Sequence, residues 1–121
     1  IEDNPWIVVA AEFELTPRPE AEVWAKMKEL IAKRRASQPL DLPSAGSAFK
    51  RPVGGYAAAL IEQTGLKGFR IGGAAVSEKH AGFVVNLGGA TAADVQELLQ
   101  QVSDKVFDRT GIRLEPEVRI W

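Results

Sequence analysis

The 121-residue chain reads as an α+β fold, with a small mixed sheet packed against one long helix and shorter helices. Periodicity carries this reading. Apolar residues recur at helical spacing through 91–110, and β-type runs at 69–76, 82–85 and 112–120 lie on either side of that stretch. The length suits one domain, since most hold about 100–150 residues. The composition, 45% hydrophobic and 26% charged, can build a core and does not fit disorder, collagen or coiled coil.

From Ile7 an apolar run passes into alternation, with Ala11, Phe13 and Leu15 set against Glu12 and Glu14, which predicts a strand with one wet face ending at Thr16-Pro17. After Pro19, the residues Val23, Trp24, Met27, Leu30 and Ile31 fall at helical spacing, with Lys26, Lys28, Glu29 and Lys33 on the other face. This predicts an amphipathic helix to about Arg35. Residues 36–54 show no sustained period and read as a long loop, a length that marks functional segments or domain boundaries. A short helix follows over 55–63 with Gly65 at its C-terminal end. Two strands, 69–76 and 82–85, are joined by the turn-like Ser77-Glu78-Lys79-His80.

The strongest helix begins at Thr91, a good N-cap with Asp94 three residues on, and ends at Gly111. Its buried stripe is expected to be Ala92, Val95, Leu98, Leu99, Val102 and Val106. The last ten residues alternate, with Ile112, Leu114, Val118 and Ile120 on one face and Arg113, Glu115, Glu117 and Arg119 on the other. They predict a closing strand, weakened at Pro116.

Lys and Arg total 15 against 16 Asp and Glu, a net charge of −1, so no global field draws the chain to nucleic acid or an anionic membrane. With no cysteine and one histidine, neither a common zinc site nor a thiol nucleophile can be built. The longest uncharged apolar run, 6–11, is far short of the roughly 20 residues that span a bilayer. No G-x-G-x-x-G or G-x-x-x-x-G-K-[ST] occurs, so the chain is neither a dinucleotide-binding domain nor a P-loop enzyme by itself. A hydrolytic set would need His80 with Ser44, Ser47 or Ser77, and no G-x-S-x-G elbow surrounds any of them.

The loop at 43–52 remains. Its small residues let a backbone approach a ligand closely, and Lys50 and Arg51 follow the second serine, which suits an anion site. An ordinary Gly/Ser turn with a solvated Lys-Arg pair would account for the same residues. Arg34 and Arg35 fit a basic helix end, Lys67 a surface lysine, and His80 a polar turn residue. Glu117 could simply pair with Arg119 or Arg113 along its strand.

Four strings change this balance when taken together. They are Pro-Ser-Ala-Gly-Ser-Ala-Phe-Lys-Arg-Pro at 43–52, Gly-Leu-Lys-Gly at 65–68, Ile-Gly-Gly-Ala-Ala-Val-Ser-Glu-Lys-His-Ala-Gly-Phe-Val-Val-Asn at 71–86 and Leu-Glu-Pro-Glu-Val-Arg-Ile at 114–120. In this order and spacing the chain from about Gln38 to Ile120 resembles the UDP-N-acetylenolpyruvoylglucosamine reductases, the MurB flavoenzymes of peptidoglycan precursor synthesis. The short approach Gln38-Pro39-Leu40 resembles their type II form. The resemblance implies a MurB C-terminal-domain-like fold over 38–121, with 1–37 the end of the preceding flavin-binding domain and its linker helix.

It also implies a reaction, the reduction of UDP-N-acetylglucosamine enolpyruvate to UDP-N-acetylmuramate in the cytoplasm. NADPH reduces FAD, and the flavin passes hydride to the terminal enolpyruvyl carbon. Ser47 matches the family's proton donor to the neighbouring carbon; a serine hydroxyl is a weak acid, so Lys50, Arg51 and the Arg34-Arg35 pair are candidate cationic supports. Glu117 matches the catalytic glutamate, which would be partly desolvated. Arg51 stands where the longer form has asparagine and keeps a phosphate-directed donor; Lys67 matches a lysine that meets the UDP-sugar; His80 stands where the longer form has glutamine. Lys50 and Arg35 are further substrate-binding candidates. Gly46 is the one flavin-side residue here, FAD being held mainly by a domain absent from this chain. The family's catalytic arginine has no counterpart in these 121 residues, and Ile-Trp stands where the family ends Ile-Ile-Gly.

The chain starts at Ile1 and is already in a β-type run by Trp6, so a piece of something longer is expected, inactive without the flavin domain and self-associating weakly through the interface it has lost. Two other classes would retain the fold: a non-catalytic UDP-sugar-binding module, and an interaction domain that binds no nucleotide-sugar. The joint presence of Ser47 and Glu117 favours the enzyme.

Overall fold

The structure, a computed structural model, describes residues 7–120. Trp6 and Trp121, singled out above, lie outside that range. Four short strands, β1 (Ser44–Ser47), β2 (Arg70–Ile71), β3 (Ala74–Val76) and β4 (Phe83–Asn86), form one sheet in the order β1-β4-β3-β2. Every pairing is antiparallel, so the expected mixed sheet is corrected. The connections explain this for β2, β3 and β4. Tight turns join them, whereas a parallel pair needs a crossover of about a dozen residues or more.

The run at 69–76 is a hairpin and not the single strand expected. Gly72 adopts φ 54°, a left-handed conformation that a side chain resists, and Ile71 then pairs with Ala74. The polar segment after β3 is the turn expected: the buried Ser77 accepts hydrogen bonds at Oγ from the N–H groups of Lys79 and His80, both at 3.2 Å.

β1 lies inside the stretch read as loop. Ser44 pairs with Val85 and Ser47 with Phe83, so β1 carries one residue more than its partner over the same span, and Gly46 at φ 90° absorbs it. Such a bulge breaks period-2 alternation, which is why the sequence shows no strand there.

Three helices accompany the sheet: α1 (Glu20–Ser37), α2 (Ala57–Gln63) and α3 (Ala92–Thr110). α3 has the predicted ends. Thr91 Oγ1 accepts from the Asp94 N–H at 3.1 Å, Asp94 Oδ2 accepts from the Thr91 N–H at 2.9 Å, and Gly111 closes the helix at φ 73°. Leu98, Leu99, Val102 and Val106 are buried against the sheet and α2 as expected. Ala92 is exposed and Val95 half-buried, so the stripe starts later than expected. In that first turn Asp94 takes the inner place and accepts from the Gly73 N–H at 3.4 Å.

α2 begins at Ala57, two residues later than expected, after Gly54 turns the chain at φ 85°; Gly65, at φ 76°, follows its cap residue Thr64. Ile61 and Leu66 bring this unit into the core with Ala48, Phe49, Ala74, Val76 and Leu114.

The closing segment is extended but makes no regular strand. Phe49 and Pro116 form an isolated bridge, in which the Lys50 N–H donates to Glu115 O at 2.8 Å and the Glu117 N–H to Ala48 O at 2.9 Å. Pro116 has no N–H to extend the ladder. Ser103, buried on α3, donates to Leu114 O at 2.8 Å and ties this segment down.

The strand predicted from Ile7 to Thr16 is not formed. Among the described residues nothing pairs with it, and an extended segment has no stable place without a neighbouring ladder. α1 has the predicted apolar stripe, but none of it is buried. Its polar face carries the exposed pairs Lys26–Glu29 at 3.0 Å and Lys33–Glu29 at 2.5 Å.

Candidate functional site

The end of β1, the turn before β4, the start of α2 and the closing segment meet around a cleft of about 210 Å³. It is lined by Ser47, Phe49, Arg51, Tyr56, Ala57, Ala58, His80, Gly82 and Glu117. Backbone bonds assemble it. The Ala48 N–H donates to Gly82 O at 2.8 Å, and Ala48 O accepts from the Glu117 N–H at 2.9 Å, so segments that are 34 and 69 residues away in sequence flank one residue. Ser47 and Glu117 reach the cleft from either side of that junction.

His80 is held on three counts. Its backbone N–H donates to Ser77 Oγ, its ring meets Phe83 edge-on with centroids 4.9 Å apart, and its Nδ1 accepts from the Gly82 N–H at 3.1 Å. With Nδ1 accepting, the neutral ring carries its hydrogen on Nε2. Gly82 permits this fit, since a Cβ there would lie 3.0 Å from the His80 ring and 3.3 Å from Ala58 Cβ. The Arg51 guanidinium carbon stands 4.1 Å from the Tyr56 ring centroid, and Arg51 Nε donates to Gly55 O at 3.3 Å.

Of the residues singled out in the sequence, Ser47, Arg51, His80 and Glu117 therefore line one cleft. The others stand elsewhere. Lys50 points away and pairs with Glu115, because neighbours on an extended chain face opposite ways and Phe49 and Arg51 take the cleft side. Lys67 pairs with Glu62 of α2 at 2.6 Å. Arg35 borders a separate cavity of about 590 Å³, where its carbonyl accepts from Lys79 Nζ at 2.5 Å; Arg34 bonds to Gln38. Gly46 lines a third, mostly apolar cavity of about 340 Å³ beside Val84, Val95 and Leu99.

Glu117 is exposed at the edge of this cleft. It joins none of the ion pairs among the described residues; of its two suggested partners, Arg119 joins none either and Arg113 pairs with Asp104 at 3.0 Å. Sequence reasoning missed Tyr56. The available signal was an aromatic residue five positions after Arg51 across the turn-forming Pro52-Val53-Gly54-Gly55.

Chemically, the cleft offers a hydroxyl, a carboxylate and two nitrogen donors within a small space. Arg51 and His80 can grip an anion, and Ser47 and Glu117 can hold or move a proton. Among the described residues, no group of three or more His, Asp or Glu is placed to hold a metal ion, and no helix is long and apolar enough to cross a membrane.

The family model described as UDP-N-acetylenolpyruvoylglucosamine reductase, C-terminal domain, matches residues 38–121. The chain belongs to this family. It is 51% identical over 120 residues to the UDP-N-acetylenolpyruvoylglucosamine reductase of Agathobacter rectalis, across 99% of this chain and 38% of that protein. To the reductase of the same name from Streptococcus pneumoniae it is 48% identical over 120 residues, across 99% of this chain and 40% of that protein. The crystal structure of UDP-N-acetylenolpyruvylglucosamine reductase (MurB) from Thermus caldophilus superimposes with a TM-score of 0.68 at 40% identity, over 88% of this chain and 38% of that one. The chain thus spans about two-fifths of the length of the curated relatives it matches.

Three of the four strings that carry the reductase resemblance each place side chains in the cleft: Ser47, Phe49 and Arg51 from the first, His80 from the third and Glu117 from the last. The string at 65–68 instead forms the turn between α2 and β2.

Proposed function

We propose that this chain is the C-terminal, substrate-holding part of a cytoplasmic NADPH-dependent flavoenzyme, an oxidoreductase that converts UDP-N-acetylglucosamine enolpyruvate to UDP-N-acetylmuramate for peptidoglycan. Residues 1–37 belong to the end of the flavin-binding domain and its exit helix, and 38–121 to the substrate domain. The observation that carries this reading is the convergence of Ser47, Arg51, His80 and Glu117 on one cleft from three distant stretches of a chain of this family.

Gly46 is the residue of this chain assigned to FAD in this reading; its φ of 90° and the open space where a Cβ would stand leave no side chain in a cofactor's way. Most of the cofactor contacts therefore come from the part of the enzyme that precedes this one. The chemistry that bound FAD, reduced by NADPH, would supply is a hydride for the terminal enolpyruvyl carbon.

The residues of this chain account for the rest. Arg51 holds a phosphate or carboxylate of the substrate, and His80 donates from Nε2 beside it. Ser47 gives its Oγ proton to the carbon adjacent to the one that takes hydride, which completes a two-electron reduction of the double bond. Arg51, which lines the same cleft, favours the alkoxide that Ser47 leaves. Glu117 acts as acid or electrostatic partner to the enolic intermediate; the desolvation this requires comes when substrate and the flavin-binding domain close over it.

Titration of the isotope-labelled chain with UDP-N-acetylglucosamine enolpyruvate, with UDP-glucose as control, tests this reading. Amide shifts should centre on residues 46–51, 80 and 117. A folded chain that shows none, even with the flavin-binding domain added in trans, would overturn it. Binding that survives without turnover in that mixture would point instead to a non-catalytic UDP-sugar module.

A further inference from the structure

We propose that Tyr56 is a positioning residue of the cleft, holding the Arg51 guanidinium in the plane in which it meets an anionic ligand. The inference rests on the reading of Arg51 as a phosphate-directed donor. Nothing in the sequence pattern assigned Tyr56 a role.

The geometry separates Tyr56 from the core. It is 62% exposed, so its ring contributes little to burial, and its side chain does not cap α2. Its backbone is nonetheless fixed, because Tyr56 O accepts from the N–H groups of Ala59 and Leu60 at 3.1 and 3.2 Å. Gly54, with φ 85° and open space around it, turns the chain so that the ring comes back under Arg51.

Arg51 is then held twice. Its guanidinium carbon stands over the ring, 4.1 Å from the centroid, and Nε is committed to Gly55 O. The donors left over are the two terminal Nη groups, and among the described residues no carboxylate forms an ion pair with them. A planar fork with its plane already set loses less rotamer freedom when it takes a phosphate or carboxylate in two-point contact. The ring face does this work: among the described residues the Tyr56 hydroxyl makes no hydrogen bond.

The test uses the labelled chain, with UDP as probe and uridine as the phosphate-free control. In the absence of ligand, ¹⁵N relaxation of the Arg51 Nε–H should show an ordered side chain in the parent and in Tyr56→Phe, and a mobile one in Tyr56→Leu and Tyr56→Ser. UDP affinity should fall roughly two- to five-fold in Tyr56→Leu, the size of an exposed cation–aromatic contact, and return in Tyr56→Phe. In an Arg51→Gln background the Tyr56→Leu change should have no further effect.

The outcomes separate the two ideas. If Arg51→Gln binds UDP as tightly as the parent, or the parent does not bind UDP, the phosphate-directed reading of Arg51 fails and this inference goes with it. If Arg51→Gln weakens binding while Tyr56→Leu and Tyr56→Ser leave both affinity and Arg51 order unchanged, the reading of Arg51 stands and the role of Tyr56 is overturned. Failure of Tyr56→Phe to restore order would likewise overturn it.

Discussion

Asp94 accepts a hydrogen bond from the Thr91 backbone, and this bond, more than the weaker ones from the Thr91 side chain and the Gly73 N–H, holds its carboxyl below the ordinary value of 3.8. A carboxylate whose acidity is raised by folding stabilises the fold above its unfolded value, and that contribution disappears as pH falls through the lower folded value. Asp104, lowered by its Gln100 and Arg113 contacts, acts in the same direction. Thermal unfolding followed from pH 5 downward should therefore show the midpoint dropping below about pH 4, and dropping less steeply in Asp94→Asn. An identical slope in that variant would show that the capping carboxylate is not linked to folding. At this scale the site was only partly legible. Ser47, Arg51, His80 and Glu117 could be named because each sits in a string whose order and spacing resemble one family. Lys50 and Lys67 were named on the same grounds, yet backbone alternation turns Lys50 toward Glu115, and Lys67 lies within reach of Glu62. Charge partners of this kind depend on side-chain direction, which a string of residue types does not contain.

Among the elements, α3 was readable at both ends because its signals are local: a capping box at Thr91 and Asp94, and a glycine at 111. The sheet was harder, because β1 pairs with a strand some forty residues on and is bulged at Gly46. The hairpin of β2 and β3 was hidden for a different reason. Gly72 and Gly73 lie within an apolar run that reads as continuous, yet each has a specific job. Gly72 takes a left-handed conformation beside the Asp94 carboxyl, while a Cβ on Gly73 would overlap the backbone of Ala90 and Gly88. Gly72→Ala should cost about 1–2 kcal/mol for the conformation alone, before any displacement of Asp94. Gly73→Ala should cost more, because backbone and not a side-chain tip stands in the way. Urea unfolding of both variants checks the ranking, and equal or reversed losses would mean that the turn relaxes freely away from the start of α3.

Across the whole molecule, the core formed by the sheet, α2 and α3 accounts for residues 48–114, and α1 stands outside it. Val23, Trp24, Met27, Leu30 and Ile31 are each between 42% and 52% exposed, although they line one side of an 18-residue helix. Most helical stability in proteins comes from packing such a stripe, and contiguous apolar patches of this kind mark contact surfaces. The exposed ion pairs around Glu29 cannot substitute, since solvent-screened surface pairs contribute little to stability. In the proposed enzyme the flavin-binding domain covers the stripe. On its own, the chain should bury it against a second copy, so sedimentation velocity should show the mean coefficient rising with concentration, and Trp24→Glu combined with Leu30→Lys should abolish the rise. Adding the flavin-binding domain in trans should compete with self-association through the same residues. A chain that remains monomeric at all concentrations while α1 stays helical would show that the stripe needs no cover, and would remove the reason for assigning α1 to the neighbouring domain.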